Sequence, residues 1–306
     1  MNPLNVILII LILLLLLVVF VYVESTGFKV TRYEVKTDKM LEKNLKLVFL
    51  SDLHDTDTDS FLDRFKKDAY SSGTHTGHNK RLLNAIDVIK PDFAVLSGDM
   101  ITSYGQRRYN SDLTLEFLKE LAASYEVYYG LGNHEQRYCE EPLRFEGKYE
   151  FLKKYVNDLG IHFLENEGFI REDDNVGIYG LVIPIEFYRR VVTKHLPDDF
   201  ALKSLGGLDE SRFNIMLAHN PEHFEDYVKI NPDLILAGHI HGGIIGIPGI
   251  GGLISPQLKL FPKYDFGTYK KDKSLMILGR GIGWHSIPVR IFNKAELIVI
   301  DITNAK

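Results

Sequence analysis

The chain has 306 residues, 45% of them apolar and 25% charged, with a net charge of −5 from 36 basic and 41 acidic side chains. That balance is ordinary for a globular enzyme with a sizeable core. With no long basic run, nonspecific nucleic-acid binding is disfavoured and no nucleic-acid partner is expected; a phosphate-bearing substrate stays open, because bound metal ions can supply local positive charge. The single cysteine, Cys139, excludes an intramolecular disulfide. It reads as a semi-buried apolar filler, with a lone reactive thiol as the alternative.

Leu4 to Val23 is apolar except at Asn5. A helix of that length spans roughly 30 Å, the thickness of a bilayer hydrocarbon core. No small-x-small cleavage signal follows in Val21-Tyr22-Val23-Glu24-Ser25, so residues 4–23 read as an uncleaved, single-pass membrane anchor. A cleaved signal peptide is the alternative. Lys29, Arg32 and Lys36 follow the span and residues 1–3 carry no basic side chain, which favours a cytoplasmic catalytic domain.

Leu45–Leu50 predicts a strand running into Ser51-Asp52-Leu53-His54. Residues 55–79 are polar and read as a surface excursion. Lys80–Lys90 has helical spacing, with Leu82, Leu83, Ile86 and Ile89 on one face, and Pro91 stops it. Phe93–Leu96 is a buried strand ending in Ser97-Gly98-Asp99. A helix capped by Ser111 or Asp112 reaches about Ser124. Val127–Tyr129 is a strand ending in Gly130-Leu131-Gly132-Asn133-His134. Lys148–Leu159 is helical and closed by Gly160. Phe213–Leu217 is a strand delivering His219, Glu222–Ile230 is helical, and Leu234–Leu236 delivers Gly238-His239-Ile240-His241. Strands near Leu275–Leu278 and Leu297–Ile300 finish the chain. The alternation gives an α/β class, and no linker marks a domain boundary beyond about residue 30.

Five polar clusters follow these strands: Asp52-Leu53-His54, Gly98-Asp99, Gly132-Asn133-His134-Glu135, His219, and Gly238-His239-Ile240-His241-Gly242-Gly243. In open α/β sheets ligands bind at the carboxyl ends of strands. Asp-x-His and His-x-His are expected to place two side chains on one side of an extended chain. Carboxylates, imidazoles and one amide oxygen suit Mn, Fe or Zn. The seven candidate ligands exceed what one ion needs. Two divalent ions sharing a carboxylate account for them, and a water bound there can ionise near neutral pH without a serine or cysteine nucleophile.

The ordered motifs D-x-H, G-D, G-N-H-E, a lone H and G-H-x-H resemble the calcineurin-like metallophosphoesterase superfamily, over roughly residues 45–302. The resemblance implies an αββα four-layer sandwich over 29–306, preceded by the anchor and its flank at 1–28. It implies that Asp52, His54, Asp99 and His241 bind one ion, and that Asp99 bridges to a second held by Asn133, His219 and His239. His134 would lie beside the substrate phosphate as a catalytic acid or charge stabiliser. Ser51-Asp52-Leu53-His54, Gly-His-x-His-Gly-Gly, Ser255-Pro256-Gln257, Phe261-Pro262-Lys263-Tyr264 and Arg280-Gly281-Ile282-Gly283 are similar to a bacterial, membrane-anchored branch of cell-envelope phosphoesterases. Some of its relatives split UDP-diacylglucosamine. That branch implies an extracytoplasmic domain, against the charge bias. The longer 55–79 excursion and Ile244, in place of a common Gln, depart from it and bear on substrate choice.

Arg280 and His285 are expected to contact substrate, with a structural ion pair as the alternative for Arg280. Residues 242–262 read as a loop over the sheet, or as an apolar lip that meets an acyl chain or the membrane. His75 and His78 read as solvated loop histidines, with a substrate cap as the alternative; His162, His195 and His223 read as structural or exposed. The function expected is two-metal hydrolysis of a phosphate ester or pyrophosphate, with a membrane lipid phosphate as the first substrate. The alternatives are a phosphodiesterase of soluble nucleotides and a non-catalytic, membrane-tethered binding protein.

Overall fold

A computed structural model describes residues 2–59, 74–75, 77–103, 111–189, 194–243, 245–247, 251–254, 260–284 and 289–305. The first element is helix α1 (Pro3–Ser25), of 23 residues. Asn2 caps it by accepting from Leu4 N, and Pro3 occupies the first turn, where its missing N–H costs nothing. It is long and apolar enough to cross a membrane, and it is exposed from Leu4 to Val19. A helix apolar on all sides and exposed over that stretch is suited to lipid rather than water.

The rest follows as β1 (Phe28–Thr37), β2 (Leu45–Leu50), α2 (Lys80–Ile89), β3 (Phe93–Ser97), α3 (Asp112–Ser124), β4 (Val127–Gly130), α4 (Asn133–Glu140), α5 (Lys148–Asp158), β5 (His162–Leu164), β6 (Glu167–Arg171) and β7 (Val176–Gly180). Then come α6 (Phe200–Leu205), β8 (Phe213–Leu217), α7 (Phe224–Tyr227), β9 (Leu234–Ala237), β10 (Ile245–Ile247), β11 (Gly251–Ile254), β12 (Gly267–Lys271), β13 (Ser274–Leu278) and β14 (Ala295–Asn304).

Two six-stranded sheets result, in the orders β1-β14-β2-β3-β4-β5 and β12-β13-β9-β8-β7-β6; β10 and β11 pair separately. Strands β2, β3 and β4 run parallel, as do β7, β8, β9 and β13. Such strands are covered on both faces, which is why they read as continuous apolar runs. Between the sheets lie Leu47, Phe49, Phe93, Val95, Ile215, Leu217, Leu236 and Ile277. Outside the first sheet Val48, Leu96, Leu82, Ile86, Phe117 and Val156 form a second core. Outside the other, Met216, Ile235 and Met276 meet Phe224 and Tyr227. The architecture is therefore the expected helix–sheet–sheet–helix sandwich.

Three elements differ from expectation. Strand β1 pairs in parallel with β14 over its whole length, Phe28 opposite Ala295 to Thr37 opposite Asn304. Its charged, half-exposed residues gave no apolar run to read. The segment at 222–230 is a short 3-10 turn, α7 and a second 3-10 turn rather than one helix. The hairpin β10–β11 occupies part of what reads as a loop after His241.

Candidate metal centre

The carboxyl ends of β2, β3, β4, β8 and β9 meet at one edge of the sandwich. Backbone hydrogen bonds join the loops there: Asp52 N donates to Gly98 O at 3.0 Å, His54 N to Asp99 O at 3.1 Å and Gly238 N to His219 O at 3.0 Å. His219 Nδ1 donates to Ser97 O at 2.6 Å, and Ser97 Oγ to Leu236 O at 2.8 Å, fastening one sheet to the other.

These loops are not extended. Asp52, His54, Asp99, His239 and His241 all have positive φ, between 50° and 72°. The alternation of side chains along an extended strand, expected for the Asp-x-His and His-x-His pairs, is therefore not what aligns them. Each sits in a left-handed turn that costs about 1 kcal/mol or more for a residue with a Cβ. Gly98 and Gly132 permit the crowding: a Cβ on Gly98 would lie 2.3 Å from Gly132 N, and one on Gly132 would lie 2.3 Å from Asp99 Oδ1.

The turns bring the predicted ligands together. Asp52, His54 and His241 place one ligand atom each within 4.8 Å of one another, and so do Asp99, His219 and His239; Asp99 also groups with His54 and His134. All are buried. His54 Nε2 and His241 Nε2 are 3.1 Å apart, and His241 Nε2 is 3.3 Å from Asp52 Oδ1. His219 Nε2 is 3.1 Å from Asp99 Oδ2.

The donor chemistry fits divalent cations. Because His219 Nδ1 spends its proton on a carbonyl, Nε2 faces Asp99 Oδ2 at 3.1 Å, and a ring that gives up its Nε2 proton would turn a lone pair there toward a cation. The amide end of Asn133 lies 2.8 Å from His239 Nδ1 and 3.2 Å from Asp99 Oδ2. With its NH2 toward them it donates to both, and its oxygen accepts from Arg137 Nη1 at 3.2 Å. A half-turn of the amide points the oxygen at the same acceptors, as a cation between them requires. Oxygen and imidazole donors without thiolate suit Mn, Fe or Zn.

Burial raises the Asp52 carboxyl to about 6, with Asp99 adding like charge. Burial also opposes ionisation of Asp99, yet the imidazoles of His219, His134 and His54 hold it well below the usual range. Burial works against a charge on His219, but Asp99 outweighs it and lifts the imidazole to about 9.

His134 opens α4. Its backbone N donates to Asp99 Oδ1 at 2.8 Å, and its Nε2 lies 4.0 Å from Asp99 Oδ2. Its Nδ1 accepts from Ser103 N at 2.6 Å. Since a backbone amide can only donate, the neutral ring carries its proton on Nε2.

Glu135 was legible only as part of its motif, and its work lies outside the ligand set. Its buried carboxylate accepts from the backbone nitrogens of Asp99, Met100, Ile101 and Gly132 and from Tyr129 OH, at 2.7 to 3.3 Å. A glutamate three residues after the Gly132 cap is the sequence sign of that role. Asp55 similarly accepts from Thr102 N and Thr114 Oγ1, at 3.0 and 2.8 Å.

Arg280 Nη1 donates to Asn293 Oδ1 at 3.2 Å, Nε lies 3.9 Å from Glu296, and the guanidinium covers the Phe266 ring. These contacts suit the structural ion pair expected as the alternative. His285 and Ser255-Pro256-Gln257 lie outside the described residues. His75 bridges Glu120 and Asp87, and His78 pairs with Asp57 at 2.7 Å, so neither is a simply solvated loop histidine. Cys139 is exposed, not a filler; partial burial, then Glu165 and Glu140, raise its thiol. His162 stacks on Tyr128 and His223 is buried, as expected for structural histidines; His195 is exposed.

The chain is similar in sequence to known proteins. Over 270 residues the chain is 26% identical to an uncharacterized metallophosphoesterase of Campylobacter jejuni, covering 87% of this chain and 61% of that one. It is 26% identical over 290 residues to a transmembrane protein with metallophosphoesterase domain of Danio rerio, covering 90% and 58%. It is 24% identical over 328 residues to the UDP-2,3-diacylglucosamine pyrophosphatase of Chlamydia muridarum, covering 91% and 90%. The chain thus spans about three fifths of the length of the first two relatives. Residues 45–243, from β2 through the loop that carries His239 and His241, match the profile described as Calcineurin-like phosphoesterase, and the chain belongs to that family.

Proposed function

We propose that this chain hydrolyses a phosphate ester or anhydride at a pair of divalent cations. Asp52, His54, Asp99 and His241 would hold one, and Asp99, Asn133, His219 and His239 the other. The observation that carries this reading is the position of Asp99. Its Oδ2 lies 3.8 Å from His54 Nε2, 3.1 Å from His219 Nε2 and 4.0 Å from His134 Nε2, which supports one carboxylate serving both ions. When bound, such a pair supplies charge opposite the phosphate oxygens and acidifies the attacking water.

The chain's own groups do the rest. Gly132 and Glu135 hold Asp99 in place from either side, and the Asp52 carboxylate accepts from His239 N at 3.0 Å, tying the two ligand loops together. Ser103 fixes the His134 tautomer, which leaves the Nε2 N–H to donate a hydrogen bond to a departing oxygen. The neutral ring stabilises the charge that develops there without surrendering its proton.

The surroundings of the centre support one class of substrate. Phe20, near the end of α1, meets Phe292 at 5.1 Å, and Gly246 N of the hairpin donates to Ile291 O at 2.8 Å. The hairpin that follows His241 therefore stands beside the end of the membrane helix, with Leu260 and Phe261 exposed nearby in sequence. The chlamydial relative is named for a lipid-linked pyrophosphate. These features support a lipid phosphate or pyrophosphate, met at the bilayer surface where the anchor raises its local concentration.

The test compares full-length protein in detergent on a diacyl-sugar nucleotide pyrophosphate and on bis-p-nitrophenyl phosphate, with Mn or Zn. Preferred turnover of the lipid supports the assignment. Equal turnover of both removes the lipid preference, and no metal-dependent turnover of either removes the reaction class.

A further inference from the structure

The membrane helix ends in a hydrogen-bonded joint with the catalytic domain. Ser25, its last residue, is buried. Its Oγ accepts from Arg290 N at 2.8 Å, and its carbonyl accepts from Trp284 Nε1 at 2.9 Å. A tether that only localises an enzyme needs no such joint, because water satisfies backbone groups leaving a bilayer.

Arg290 is 4% exposed, and its guanidinium has no carboxylate within ion-pair distance among the described residues. It donates instead to four carbonyls: Arg280 O at 2.9 Å, Asn293 O at 3.1 Å, Gly281 O at 3.3 Å and Gly283 O at 2.6 Å. Burying a cation with neutral partners alone is expensive, and here burial lowers its pKa to about 10. The carbonyls it gathers belong to segments that touch the ligands.

Gly283 N donates to Asp52 O at 2.7 Å, and Ile282 N to Ser51 O at 3.0 Å. Gly281 packs so closely that a Cβ there would lie 2.8 Å from Asp52 Cβ and 3.2 Å from His241 Nδ1. Asn293 Nδ2 donates to His241 O at 2.6 Å. One guanidinium therefore braces the backs of Asp52 and His241, while its own backbone nitrogen grips the end of α1. His219 is held independently, by Ser97 O.

We propose that Arg290 is a positioning residue that couples the end of the membrane helix to the Asp52–His54–His241 ligand group, through the strap at 280–283 and through Asn293. The inference rests on the two-cation reading. It makes the anchor part of what shapes the centre, beyond delivering it to the membrane.

The test uses full-length protein in lipid nanodiscs, stripped of metal and titrated with Mn. Binding is followed by equilibrium titration and by electron paramagnetic resonance, which distinguishes a spin-coupled pair from isolated ions. The wild type is expected to bind two ions as a coupled pair. Arg290→Lys keeps a positive charge but cannot span four carbonyls. It is expected to lower the affinity of one ion about tenfold or more, the usual scale for losing support behind a ligand, and to replace the coupled signal with that of an isolated ion. The double variant Ser25→Ala/Trp284→Phe leaves Arg290 in place and decides the matter if Arg290→Lys misfolds. It removes two hydrogen bonds of the joint and is expected to weaken the same ion by about threefold or more, at least the scale of one of them. Two ions bound with wild-type affinity in these variants overturn the proposal, as does equal weakening of both, which marks general loosening. A wild type that binds no pair removes the two-cation reading itself, before any variant is compared.

Discussion

Glu135 Oε2 accepts a hydrogen bond from Asp99 N at 2.9 Å, so a carboxylate outside the clustered candidate ligands holds the residue that two of those clusters have in common. Glu135→Ala removes the acceptor for four backbone nitrogens and for Tyr129 OH. Leaving buried donors unsatisfied and opening a cavity is expected to cost about 3–5 kcal/mol. Chemical unfolding of the full chain measures it. A loss below about 1 kcal/mol would show that the loop after β3 does not depend on Glu135.

Metal binding is expected to tighten as pH rises. Asp99 lifts His219 to about 9, so in the metal-free protein the imidazole is protonated through the neutral range. A cation needs the neutral ring and displaces that proton. Below about pH 9 each unit of falling pH is then expected to weaken binding about tenfold per proton released. Mn titrations at several pH values between 6.5 and 8.5, roughly spanning the neutral range, read the slope. A flat profile would mean that His219 is neutral without metal.

Removing the shared carboxylate is expected to remove the pair. Asp99→Ala should eliminate coupled metal binding and activity together. Gly132→Ala approaches the same result by crowding, since its Cβ would lie 2.3 Å from Asp99 Oδ1. It is expected to cost about 1–3 kcal/mol in stability, as other overpacking substitutions do, and to weaken both ions. Metal content and thermal unfolding of each variant check this. Two tightly bound ions in Asp99→Ala would end the shared-ligand reading.

The four layers were legible because β2, β3, β4, β8 and β9 are buried on both faces and therefore written as apolar runs. The clustered candidate ligands were legible because each follows such a run. Their geometry was not. Nothing in Asp52-Leu53-His54 announces positive φ at both ends, which follows from hydrogen bonds to Gly98 and Asp99 some 45 residues away. Strand β1 was hidden by its charges, and all three cations that favoured a cytoplasmic domain are side chains of that strand. Lys29 lies 3.1 Å from Glu296 and Arg32 3.9 Å from Asp301, so both have a role within the sheet. Arg280 looked like a phosphate contact because its partners Asn293, Glu296 and Phe266 converge only after folding. Arg290 carried no local sign at all, since its four carbonyl partners belong to turns rather than to a motif.

The most direct measurement is single-turnover and steady-state hydrolysis by full-length wild type and His134→Ala, each assayed for bound metal. The account predicts two Mn ions per chain in both proteins and turnover lower by about 10²–10³ in the variant, the range for losing one donor to a developing oxyanion. Wild-type turnover in His134→Ala, or turnover by wild type that persists after its metal is removed, would contradict it.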